Sequence, residues 1–179
     1  SLMSNISKAY ADALFEISLE ENILEEIMQQ TQLLGEVLAA NPDFSKLLGA
    51  PTVTKEEKQN LTDTVFSGKI NKHLVNFLKV MIDRKDTAEI KNSFADFEKL
   101  YNSHNNIEKA VATTAVPMSE DQKKLLCDKL CSLTGKNVVL TNKVDPDCLG
   151  GVILQFSDTQ YNDSIAAKLE TLKNRLKAN

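Results

Sequence analysis

Apolar residues spaced three and four apart constrain this chain more than any other feature of it. Ile6, Tyr10, Ala13, Leu14 and Ile17 share one face of a helix, and Leu24, Ile27, Thr31, Leu34 and Leu38 repeat the pattern; only a helical period brings such residues onto one stripe. Asn41-Pro42 ends the second run, because the residue before a proline avoids helical dihedrals. A short segment from Asp43 to Leu48 follows, and Gly49-Ala50-Pro51 breaks the chain again. Thr54, with Glu57 three residues on, forms a capping box. The helix it opens carries Leu61, Val65 and Phe66 and stops at Gly68. Asn71 opens another, with Leu74, Phe77, Leu78 and Met81, and a last one carries Ile90, Phe94, Phe97 and Tyr101. Six helices joined by short breaks over residues 1–105 predict a compact bundle.

The pattern changes near Asn105. Val111, Thr113, Ala115 and their neighbours form a β-branched run that Pro117 ends, the signature of a strand. Ser119 caps a helix with Leu125, Leu126, Leu130 and Leu133, and Gly135 closes it. Asn137 to Val144 is a second strand, Asp145-Pro146-Asp147 a turn, and Leu149 to Ser157 a third strand with Gly150-Gly151 at its start. Asp163 or Ser164 caps a final helix with Ile165, Leu169, Leu172 and Leu176. The fold class is therefore mainly α: an N-terminal six-helix bundle over residues 1–105, then a small β-α-β-β-α domain of α+β type over residues 106–179, with a linker at Ser103 to Asn106. The small domain buries limited surface and is expected to be less stable or to lean on a partner. Aromatic residues are only 6% and Trp is absent, so both cores must be built mainly from Leu, Ile, Val and Ala.

The formal net charge of -4 argues against a nucleic-acid partner, which needs a concentrated basic face. No apolar run is long enough to span a membrane. Ser1 and Leu2 before Met3 are expected to be a cloning remnant, and no secretory signal follows them. The 3 cysteines are an odd count, which fits reduced thiols in a cytosolic compartment better than a disulfide framework.

The search for chemistry is mostly negative. Thr134-Gly135-Lys136 matches the tail of a phosphate loop, but Leu130 and Asn137 stand where the motif needs Gly and Ser or Thr, so a helix end is the better reading. Cys127 and Cys131 sit four apart on one helix without two further metal ligands at suitable spacing, and are read as core or half-buried thiols. His73 and His104 are read as surface residues without a nucleophile beside them. Gly150-Gly151 lacks the spacing of a dinucleotide fingerprint. No carboxylate pair, metal site or cofactor site emerges. What remains is recognition, which helical bundles perform by holding partner helices in apolar grooves.

Several motifs carry a resemblance along nearly the whole chain. Tyr10-Ala11 with Leu14-Phe15, and Lys8 two before the Tyr, resemble the opening helix of the ATP synthase delta subunits, the family that includes the mitochondrial oligomycin-sensitivity-conferring protein. Asn41-Pro42-Asp43-Phe44, Leu47-Leu48 and Pro51 resemble its third-helix region, and Asn76-Phe77-Leu78 with Arg84 its fifth helix. Thr113-Thr114-Ala115-Val116-Pro117-Met118-Ser119, Thr134-Gly135-Lys136, Val144-Asp145-Pro146, Leu149-Gly150-Gly151-Val152, Asp158 and Asp163-Ser164-Ile165 follow in the family's order and spacing. Cys148, Ser157 and Lys168 depart from the residues usual at those places.

The resemblance implies a non-catalytic stator subunit. In that family the six-helix domain binds an amphipathic helix at the N-terminus of an alpha subunit, in a groove between its first and fifth helices. The C-terminal domain joins the b subunits of the peripheral stalk. The protein thereby holds the catalytic head against rotor torque and helps couple proton flow to ATP synthesis. Carried over residue by residue, the groove takes Tyr10, Ala13, Leu14 and Ile17 from the first helix and Phe77 and Val80 from the fifth, with Lys79 at its rim. Leu14 and Phe77 are weighed as core, Tyr10 and Val80 as groove. The stalk contact is expected in the last helix and the strands before it. Membrane association through the complex alone, at the cytoplasmic face of a bacterial plasma membrane, completes the expectation. The rival reading is a generic helical adaptor or regulatory protein.

Overall fold

The computed structural model describes residues 2–148, 151–157 and 163–177. Six α-helices precede the first strand: α1 (Leu2–Glu20), α2 (Leu24–Ala40), α3 (Pro42–Gly49), α4 (Lys55–Phe66), α5 (Lys72–Asp83) and α6 (Ile90–His104), with a single 3-10 turn at Thr87–Glu89. Then come β1 (Ile107–Thr114), α7 (Glu120–Thr134), β2 (Asn137–Val144), β3 (Ile153–Phe156) and α8 (Asp163–Lys177). The chain is thus mainly α with a small α/β part, and it divides into two compact units, Ser1–Tyr101 and Asn102–Asn179.

Local chemistry sets the breaks. Pro42 begins α3 directly after Asn41 ends α2. At α4 the Glu57 N–H donates to Thr54 Oγ1 at 3.2 Å while the Thr54 N–H donates to the Glu57 carboxylate at 2.9 Å, which satisfies two helix-start donors reciprocally. Asn71 accepts from the His73 N–H at 2.9 Å, and its own N–H and side-chain amide reach Gln30 and Glu26 on α2. The start of α5 is thereby pinned to α2.

One apolar core serves α1 to α6. Ala11, Leu14, Ile27, Leu34, Leu74, Met81, Ile90 and Phe97 are buried in it. Rings lock it together: Phe15 meets Phe97 edge-on at 6.1 Å, and Phe77 stacks on Phe94 at 5.9 Å. The buried face of α1 is Ser7, Ala11, Leu14 and Ser18, not the apolar stripe that periodicity picks out. The two buried hydroxyls are satisfied, Ser7 by the Asp96 carboxylate at 2.7 Å and Ser18 by the Leu14 carbonyl at 2.6 Å.

The second unit holds one sheet of strand order β2-β1-β3, with β1 parallel to β2 and antiparallel to β3. Ala110, Ala112, Val138 and Leu154 of the sheet meet Leu126 and Leu130 of α7 and Leu169 and Leu172 of α8. α7 starts with a Ser119–Gln122 capping box and ends at Gly135, whose φ of 68 is the left-handed cap that glycine adopts without a Cβ clash. Inside this unit Glu108 is buried, held by Lys136 Nζ at 3.4 Å and Ser157 Oγ at 2.9 Å.

Some boundaries differ from the sequence reading. The first strand starts earlier, at Ile107, and stops at Thr114, whose Oγ1 turns to the Val116 carbonyl at 2.6 Å. The third strand is shorter than Leu149 to Ser157, because Gly151, at φ 121, has left the extended conformation and pairing with β1 begins only at Ile153 opposite Thr113. α6 runs to His104, so half of the expected linker is helix. Leu149, Gly150 and Asp158 lie outside the described residues, as do the capping side chains expected at Asp163 or Ser164.

Candidate partner-binding groove

α1 and α5 run antiparallel, with Tyr10 beside Asp86 at one end and Glu21 beside His73 at the other. Between them lies a groove of about 670 Å³. Ile6, Ala9, Tyr10, Ala13, Leu14 and Ile17 form the α1 wall, and His73, Asn76, Phe77 and Val80 the α5 wall, closed at one end by Arg84 and Asp86. From Ile6 to Ile17 it runs about 16 Å, three turns of helix at about 1.5 Å per residue.

The groove explains why α1 carries two stripes side by side. Ser7, Ala11, Leu14 and Ser18 face the core, and Ile6, Tyr10, Ala13 and Ile17 face the groove, with Leu14 shared. Leu14 and Phe77 are almost fully buried, 3% and 8% exposed, and form its floor; Val80 is 45% exposed and Ile6 36%, and they form its rim. Tyr10 is half-buried, edge-on to Phe77 at 5.8 Å. Its hydroxyl donates to Asp86 at 2.6 Å. Burial, then that hydrogen bond and the Asp86 charge, push the Tyr10 phenol up to about 12. The ring is therefore held in one orientation and stays neutral over the ordinary pH range.

Both helices end alike. At the end of α5, Asp86 N–H donates to Met81 O at 2.8 Å and Lys85 N–H to Ile82 O at 3.1 Å, with Lys85 at φ 61. At the end of α1, Ile23 N–H donates to Ser18 O at 2.9 Å and Asn22 N–H to Leu19 O at 3.2 Å, with Asn22 at φ 57. Each is a Schellman end without the usual glycine, and the one at α5 delivers Asp86 to Tyr10.

Of the seven residues singled out from the sequence, six line the groove: Tyr10, Ala13, Leu14, Ile17, Phe77 and Val80. Lys79 does not. It turns to α4, where its Nζ meets Asp63 at 2.7 Å and holds that carboxyl below its ordinary value. Ile6, Ala9, His73, Asn76, Arg84 and Asp86 also line it, although the sequence does not assign them to it; Ala9 and Asn76 lie at helical spacing from Ala13 and Val80, which is the signal that finds them. His73 is not a surface residue. Its side chain is 16% exposed, with Nε2 at 3.7 Å from Glu21, because the α5 start that Asn71 fixes turns it against α1.

Among the described residues no three His, Cys, Asp or Glu side chains cluster as a metal site, and no helix is long and apolar enough to cross a membrane. Lys136, in the fragment like a phosphate loop, is bound to Glu108 beyond the capped end of α7. Fold and groove together define a class: a helical unit offering a peptide-sized apolar groove, followed in sequence by a small α/β unit. The sequence profile of the ATP synthase delta (OSCP) subunit matches residues 6–176, and the chain belongs to that family, whose members are non-catalytic subunits of ATP synthase. Relatives agree along the whole length. The chain is 32% identical to ATP synthase subunit delta of Clostridioides difficile (strain 630) over 98% of this chain and 97% of that protein. It is 33% identical to subunit delta of Alkaliphilus oremlandii (strain OhILAs) over 96% and 95%. The fold resembles a chain of the Toxoplasma gondii mitochondrial ATP synthase hexamer solved by cryo-EM, with a TM-score of 0.67, 20% identity and coverage of 95% and 96%.

Proposed function

We propose that this chain is the stator adaptor of its ATP synthase. Its six-helix bundle takes an amphipathic helix from the N-terminus of the alpha subunit into the α1–α5 groove. Its second unit joins the ends of the b subunits of the peripheral stalk, through α8 and the strands before it. The protein resists rotor torque without reacting, and so helps couple proton flow to ATP synthesis. It sits peripherally at the cytoplasmic face of a bacterial plasma membrane, as part of the complex.

The observation that carries this reading is the groove itself. Three turns of apolar wall, with an exposed aliphatic rim and a floor of buried Leu14 and Phe77, match a helix presenting anchors at i, i+3 or i+4 and i+7. A torque-bearing link needs rigid, buried anchors, and Tyr10, held by Asp86 and Phe77, is already ordered in the free protein, which lowers the cost of binding. The test is a calorimetric titration of the full chain with a peptide of the alpha N-terminal segment from the same source. One-to-one binding is expected, weakened about tenfold or more by Tyr10→Ala and by Val80→Asp in folded protein. No binding by folded wild type would move a generic helical adaptor ahead.

A further inference from the structure

Two thiols of the second unit do something the groove reading does not use. Cys127 and Cys131, free and half-buried, lie one turn apart on α7. Both reach the backbone of Val138: the Cys127 thiol donates to its carbonyl at 3.1 Å, and its N–H donates to Cys131 Sγ at 3.4 Å. Val138 is on β2, an edge of the sheet. The Asn137 and Asp145 N–H groups donate to Asn106 and Thr114 on the β1 side, so the alternation of a strand turns the polar groups of Val138 to the open side. The thiols stand where the backbone of a further strand would stand, and they satisfy the edge there.

We propose that Cys127 and Cys131 form a two-sulfur site for a trivalent thiophilic metalloid, and that filling it unclasps the β2 edge. Cβ atoms four apart on a helix lie about 5–6 Å from each other, whereas a direct disulfide needs about 3.5–4.5 Å. An atom inserted between the sulfurs spans that gap where an S–S bond distorts the helix. With an arsenoxide, each thiol gives up its proton, two As–S bonds form, and the oxygen leaves as water; no oxidant or reductant is consumed. Burial, the neighbouring Cys131 and the Asp128 charge push the Cys127 thiol up, which slows reagents that need a single thiolate. A bridging reagent gains instead from its second, intramolecular bond. Once bound, Cys127 has no S–H to give the Val138 carbonyl, and the bond to arsenic draws Cys131 Sγ toward Cys127 and off the Val138 N–H, so the edge is left with an unpaired acceptor and a loosened donor beside exposed Val139 and Val144.

Phenylarsine oxide tests this on the full chain in the presence of a monothiol. Intact mass is expected to show one arsenical per chain with loss of one water, removed by a dithiol but not by the monothiol. Peptide mapping of the wild-type adduct is expected to place both bonds on α7, and hydrogen exchange at the Val138 amide to speed up on binding. Cys127→Ser and Cys131→Ser are each expected to weaken retention about a hundredfold. An adduct mapped to Cys148 or bridging two chains, undiminished retention in both folded single variants, or unchanged exchange at Val138 would overturn the proposal.

Discussion

The two units solve the same problem with different materials. The first packs long helices around rings, with Phe97 fully buried edge-on to Phe15 and Phe77 stacked on Phe94. Most of its buried polar groups are hydroxyls: Ser18, Thr31 and Thr62 donate to carbonyls three or four residues back, and Ser7 reaches Asp96. The second has a thin aliphatic core beside a buried carboxylate, Glu108, clasped by Lys136 and Ser157 at one end of the sheet. Stability in the first comes from apolar area and ring packing; in the second a larger share rests on polar groups that must stay paired.

That contrast is open to breakage. The largest effect is expected from Phe97→Ala, which removes a fully buried ring and costs about 3–5 kcal/mol; hydrogen exchange should lose protection in α1 and α6 while β1 keeps its own. Lys136→Met removes the ammonium that lies 3.4 Å from the buried Glu108 carboxylate and is expected to cost about 3 kcal/mol, read by denaturant unfolding with β1 amides opening first. A cost near zero would mean that water or other groups carry that charge.

A smaller effect concerns the groove wall. The Tyr10 phenol is raised in the folded state from 10.0 to about 12. Its stabilising contribution is therefore complete below pH 10 and is lost as pH rises from 10 to about 12. Tyr10→Phe should flatten that part of the stability curve and delete a late-titrating phenolate from the absorbance titration. The smallest effect is a gain: Lys85→Gly relieves a left-handed residue at the end of α5 and is expected to stabilise by about 0.5–1 kcal/mol in chemical denaturation.

Much of this architecture was legible in the residues, for stated reasons. Thr54–Glu57 and Ser119 announce helix starts by cap chemistry, Gly135 announces an end, and the β-branched run from Asn137 to Val144 gives β2 its bounds. The ends of α1 and α5 were not legible, because Asn22 and Lys85 occupy places where glycine is the usual signal. Periodicity found the apolar stripe of α1 but could not tell groove from core, since the true core face is disguised by Ser7, Ala11 and Ser18. Lys79 was assigned to the groove rim on resemblance alone; its partner Asp63 lies on another helix, which spacing along one helix cannot reveal. The thiol contacts to Val138 were equally hidden, because they depend on β2 lying at the edge.

The central claim is that α1 and α5 together hold a partner helix. Titrating the isotope-labelled full chain with the alpha N-terminal peptide, and following backbone amide shifts by NMR, tests it most directly. The account predicts shifts concentrated between Ile6 and Ile17 and between His73 and Asp86, with β1 to β3 unmoved. Saturable shifts confined to the second unit, or none at all in folded protein, would contradict it.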